Sequence, residues 1–341
     1  MNKLIFTLTL AALVSAIAPA YAQDAPAAAE PEKAWKTGAG IGLDAAQLLQ
    51  INPRVGAGQN RLGFGGAINT FANYKQGRSA WDNQGVWQFG VQRLGSGVIA
   101  QGTDIKIPFQ KAIDKIQLDS KFGYQAKEGS KWFYAANANF ITQLTPTYLG
   151  TAEYPGNFLT DISGTNATPQ STLLSPADLS ISAGIDYKPN DNWSFYYSPV
   201  AGRFIIVADD AIAALGVHGN PVTKDAGGNV VSFENADIQL GSQLRIAYRN
   251  KFIEDRLAFT STIQLYSNYV REPQNIDLQF WNNEVAMEIF KNFQAALTLN
   301  MYYDHDVLVQ ITDFDAPNGV SGLGRRLSLT QQLLLKYAIV F

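Results

Sequence analysis

Eight charged side chains sit at alternate positions in segments whose intervening positions are apolar: Lys115, Asp119, Lys121, Arg203, Asp237, Arg245, Glu284 and Glu288. Fixed charges of both signs on one face of a strand either pair with one another or line a path for a polar solute. Other chemistry is poorly served. His305 stands in Tyr303-Asp304-His305-Asp306, and a Ser-His hydrolase at a membrane surface needs that imidazole beside a serine on the same face. In the alternating pattern His305 shares the side of Phe293, Leu297, Leu299 and Met301, whereas Ser328 falls on the opposite side of the next segment. The pair does not form, and the chain is read as a non-enzyme. The sequence has no cysteine, which removes thiol nucleophiles, thiolate metal sites and disulfides. Asp304, Asp306, Asp313 and Asp315 offer hard oxygen ligands without an EF-hand spacing, so solvated loop charge is the expectation. Leu62-Gly63-Phe64-Gly65-Gly66 lacks the Lys and Ser/Thr of a phosphate loop. No cofactor or metal is expected.

The elements that must carry these charges are strands. Ala236, Ile238, Leu240, Leu244, Ile246 and Tyr248 alternate with Asp237, Gln239, Gln243, Arg245 and Arg249, a period of two with one apolar face. Ile116, Leu118, Phe122 and Tyr124 oppose Lys115, Gln117, Asp119 and Lys121 in the same way. Twelve such runs are predicted. The first seven are Trp35–Leu43, Arg61–Lys75, Ala80–Leu94, Ile113–Ala126, Lys131–Gln143, Ala177–Lys188 and Trp193–Ile206. The others are Glu234–Arg249, Arg256–Tyr269, Asn275–Ile289, Phe293–Asp304 and Arg326–Phe341. The tenth run changes phase: Ile276, Leu278 and Phe280 have the opposite parity to Val285, Met287 and Ile289. A β-bulge near Phe280–Asn283 explains this, but the simpler expectation is that only Val285–Ile289 is embedded and the first half projects outward.

Short connections such as Gln76–Ser79, Lys127–Ser130, Pro189–Asn192 and Phe290–Asn292 alternate with long ones such as Asp44–Asn60, Leu144–Pro176, Val207–Phe233 and His305–Arg325, the sole exception being the brief Val270–Gln274. Short periplasmic turns, long extracellular loops and an even strand count are the pattern of an outer-membrane barrel. Met1–Ala22 has a charged start, a short apolar core and an Ala20-Tyr21-Ala22 end, as in an export signal cleaved after Ala22. Residues 23–34 read as a flexible periplasmic lead-in, and 35–341 as the barrel. The fold class is therefore all-β, a transmembrane antiparallel β-barrel of about twelve strands in the outer membrane. An Arg or Lys facing lipid at mid-depth costs about 2–4 kcal/mol, so the eight charges are expected to point into the lumen. A net charge of -3 argues against nucleic acid as a partner.

Several pieces resemble an outer-membrane family common in Bacteroidota, domain of unknown function 3078. They are Phe71-Ala72-Asn73-Tyr74-Lys75-Gln76-Gly77 with Trp81-Asp82-Asn83, Asp119-Ser120-Lys121-Phe122-Gly123-Tyr124, Trp132-Phe133-Tyr134, Phe140-Ile141-Thr142-Gln143 and Tyr303-Asp304-His305-Asp306. The similarity is expected to span most of the mature chain. It implies a barrel and its location and names no activity or site residue.

The reading is thus a narrow pore or small-solute conduit, with plugging by paired lumen charges slightly favoured over an open path. The alternative is a non-conducting barrel acting through the outer loops, and a lipid-acting enzyme ranks last. Expected partners are outer-membrane lipid and the barrel-assembly machinery, the latter through the last strand ending in Phe341. A monomer is favoured.

Overall fold

The computed structural model describes residues 34–52, 61–92, 109–151, 156–313, 315 and 320–340. The segments read from the sequence as an export signal and, up to Lys33, a lead-in lie outside the described residues, as does Phe341.

Twelve long strands form one closed antiparallel ring. They are β1 (Trp35–Ile51), β2 (Arg61–Gln76), β3 (Ser79–Gln92), β4 (Gln110–Gln125), β5 (Trp132–Thr142), β6 (Ala177–Tyr187), β7 (Trp193–Ile206), β8 (Ala236–Phe252), β9 (Leu257–Asn268), β10 (Asp277–Phe290), β11 (Phe293–Tyr303) and β12 (Ser328–Val340). Each pairs with its sequence neighbour, and β1 closes the ring on β12, for example Leu43 opposite Tyr337 and Ile51 opposite Leu329. Closure leaves no sheet edge. The shortest strands have 11 residues. At about 3.3 Å per residue and a tilt of about 45°, that length projects to roughly 25 Å, the height of an outer-membrane apolar band.

The side chains are sorted inside out relative to a water-soluble protein. Leu43, Phe64, Ile181, Val200, Ile238 and Leu333 stand exposed on the outer wall. Asn137, Asp186, Arg203, Gln243 and Gln264 are buried. Around the short-turn end the outer wall carries linked aromatic rings: Trp35 lies 5.2 Å from Tyr74, Trp132 4.5 Å from Tyr187, Trp193 4.5 Å from Tyr248 and Phe290 4.7 Å from Phe293. Amphipathic rings at that level belong to a membrane–water boundary.

Two sequence expectations are corrected. The connection predicted to begin at Asp44 is strand as far as Ile51, because both ladders continue (Ala45 opposite Phe64, Leu49 opposite Gln331) and override the helix-forming composition of Ala45–Gln50. In β10 the phase change is a bulge at Gln279, not projection of the first half. Leu278 pairs with Leu265 and Phe280 with Gln264, leaving Gln279 as the extra residue.

The outer loops are folded. Tyr148–Leu149 and Asn157–Phe158 form a short ladder that joins β4 through Gln110 and Phe158. A one-turn helix, Asp210–Ala213, is capped by Asp209, whose carboxylate accepts from the backbone N–H groups of Ala211 and Ile212. Val222–Lys224 and Val230–Phe233 make a protruding hairpin, and hydrogen bonds from Asn229 hold the Asp225 carboxyl at its tip below the usual range. His218 Nε2 meets the Gln170 carbonyl at 2.7 Å and ties two long loops together. Asn52 and Thr312 exchange hydrogen bonds of 2.7 and 2.9 Å, tying the end of β1 to the last loop.

Candidate functional site: a half-filled lumen

The inward faces of β4 to β9 carry long polar side chains, and on that side they pack against one another. Ser182 donates to Gln243 Oε1 at 2.6 Å and accepts from the Tyr196 hydroxyl at 2.9 Å. Gln264 and Gln243 both donate to Gln279 Oε1, at 2.8 and 3.4 Å, so the bulge residue serves the network. Lys121 Nζ lies 2.7 Å from Asp186 Oδ2 and 3.1 Å from Ser194 Oγ. Asp237 pairs with Arg271 at 2.5 Å and accepts from Gln239 at 2.8 Å. Buried charge is tolerated here because each of these ions has an opposite charge and a hydrogen-bond partner within reach.

The opposite side is open. The inward positions of β1 to β3 include Gly42, Gly63, Gly65, Ala67 and Gly90, which border a cavity of about 900 Å³. The cavity lies under the outer loops at Thr147, Ser171, His218 and Leu308 and reaches Glu284 and Lys336 towards the turn end. There the inward-pointing Asn69, Gln84 and Thr260 remain exposed. The lumen is thus neither plugged nor fully open. Its void is eccentric, placed where glycine leaves no side chain to fill it.

Four ion pairs ring this cavity: Lys111–Asp114 at 2.9 Å, Arg203–Asp178 at 2.9 Å, Arg245–Asp119 at 3.4 Å and Lys336–Glu284 at 2.9 Å. Asn139 and Gln117 also donate to Asp119, at 2.7 and 2.8 Å. Lys115 borders the cavity as well, and among the described residues none gives its ammonium an ion pair or a hydrogen bond.

Of the eight charges singled out from the sequence, Lys115, Asp119, Arg203, Arg245 and Glu284 border the cavity. Lys121 and Asp237 do not; they belong to the packed side, where bulky neighbours surround them. Glu288 lies opposite Gln294 near the turn end, outside the cavity lining. Sequence reasoning missed the partners Asp178, Asp186 and Lys336, and it missed the glycine wall. The signal was present: Gly38, Gly40 and Gly42, then Gly63 and Gly65, repeat with the strand period and so fall on one face. Asp304 leaves the predicted acidic loop cluster to pair with Arg203 at 3.0 Å. His305 lies beyond β11, not on its lipid face, with Nε2 3.7 Å from Glu272. No group of three or more metal-ligating side chains is assembled among the described residues.

A family described as a protein of unknown function (DUF3078) matches residues 50–148. That covers four of the five resembling pieces; Tyr303–Asp306 falls outside it, so the similarity spans less of the chain than expected. No curated protein matches the chain. Similar solved structures include a NanC porin, with 8% identity over 86% of this chain and 98% of that one, at a TM-score of 0.38. An outer membrane channel from Pseudomonas putida F1 shows 12% identity over 90% and 99%, at 0.35. The toluene transporter TodX of P. putida shows 11% identity over 91% of each chain, at 0.29. The closed ring of antiparallel pairings itself, not these distant likenesses, makes the chain a β-barrel.

Proposed function

We propose that this protein is an integral outer-membrane barrel that passes small polar solutes along one side of its lumen. The observation that carries the reading is the cavity of about 900 Å³ between a glycine wall and a row of charged and amide side chains. That volume is in the range of small-molecule sites. The apolar outer wall and the aromatic ring at the turn end support membrane placement. Export with cleavage after Ala22, assembly through the strand that ends in Phe341 and a monomeric state belong to the same proposal. Refolded protein in a planar bilayer should give discrete current steps. Correctly folded protein that carries no current at any voltage would remove the conduit.

A second reading has its own observation. The long outer loops are tied to each other over the mouth, and their hairpin holds Val231 67% exposed. A surface-binding barrel would present such a structure. Deleting residues 222–233 would then abolish partner capture and leave any conductance unchanged.

A further inference from the structure

One cation at the cavity stands apart from the others among the described residues. Lys111, Lys115, Arg203, Arg245 and Lys336 face the cavity, against Asp114, Asp119, Asp178 and Glu284. Each of these four carboxylates has a cation, Arg203 also holds Asp304, and Lys115 stands in no ion pair among the described residues. Asp119, four residues on along the same face, is already engaged: Oδ1 accepts from Asn139 and Arg245, and Oδ2 from Gln117. Across the sheet from Lys115 the inward row reads Gln88, Ala67 and Gly42, with no acid and no bulky side chain. An ammonium half-buried in a narrow polar space, with no ion pair or hydrogen bond among the described residues, attracts a mobile anion to complete it.

We infer that the lumen is anion-selective and that Lys115 holds the charged end of a passing small monoanion, with the neighbouring amides as hydrogen-bond partners. The inference rests on the conduit reading for passage but not for binding. Aliphatic carboxylates and inorganic halides share the required chemistry, a single negative charge that accepts hydrogen bonds.

Two measurements separate the claims. Under a KCl gradient across a planar bilayer, the wild-type reversal potential should have the sign of chloride permeation. Lys115→Gln should move it towards zero, and Lys115→Glu should invert it. Current with an unchanged reversal potential in Lys115→Glu overturns the assignment. Chloride NMR line broadening by the detergent-folded protein reads the site without any current. Broadening that Lys115→Gln and Lys115→Met both abolish supports the site even if the barrel does not conduct. Broadening equal in wild type and both variants overturns it. Heat-modifiable gel mobility establishes that each variant is folded.

Discussion

Arg203 and Asp304 lie 101 residues apart in the chain and meet Nη1 to Oδ2 at 3.0 Å inside the outer mouth. Arg203 sits on β7 and Asp304 just after β11, so the pair crosses the lumen. The same guanidinium donates twice to Asp178 on β6, at 2.9 and 3.0 Å, and the Tyr302 hydroxyl donates to Asp304 at 3.1 Å. The arginine thereby joins the packed side of the barrel to the last outer loop.

Removing the middle of that crossbar should be costly. Arg203→Ala takes the guanidinium away from two carboxylates, one of them buried, and the expected loss is about 3–5 kcal/mol of unfolding free energy. Arg203→Lys should recover only part of it, because one ammonium lacks the planar fork that reaches both acids. Urea unfolding in lipid vesicles reads both. Equal stability of Arg203→Ala and wild type would show that the crossbar does not hold the mouth.

Ala67 marks the empty side of the lumen. Its neighbours in the inward row are Gly42 and Gln88. Ala67→Trp places an indole in the cavity, where the glycine wall leaves room, so the barrel should still fold. Single-channel conductance should fall several-fold. Unchanged conductance would put the solute path elsewhere.

Membrane placement can be read from one residue at a time. Leu118 is 51% exposed on the outer wall of β4, and Val231 is 67% exposed in the loop hairpin. Leu118→Arg should cost about 2–4 kcal/mol in a lipid bilayer, since a guanidinium at mid-depth loses its hydration. Val231→Arg should change stability by less than about 0.5 kcal/mol. Similar small effects from both substitutions would argue that lipid does not cover the barrel wall.

The bulge in β10 gives a test of register. Deleting Gln279 restores a regular ladder and keeps Leu278 outward and Asp277 inward, at the cost of two side-chain hydrogen bonds. Assembly should survive with a loss of about 1–3 kcal/mol. Deleting Asn282 instead inverts one half of the strand relative to the other, and folded barrel should fail to appear on gels. Equal yields from the two deletions would contradict the pairing.

The amino-acid sequence by itself determined the all-β class and the strand count, because a side-chain period of two is a local property of extended chain. It also held the alternation of short turns and long loops, since Gly, Asn and Asp mark turns wherever they lie. It did not determine which charges face the void. Lys121 and Lys115 share a face and differ by six positions, yet one meets Asp186 from β6 and the other meets no described partner. That difference depends on which side chains come level two strands along the ring, on closure of β1 against β12, and on where the glycines of β1 to β3 leave space. Long-range pairing such as Arg203 with Asp304 has no local signature, because only the curvature of the closed ring brings β7 within reach of the end of β11, four strands away. Tertiary structure therefore decided the shape of the path, and the sequence decided only what it is made of.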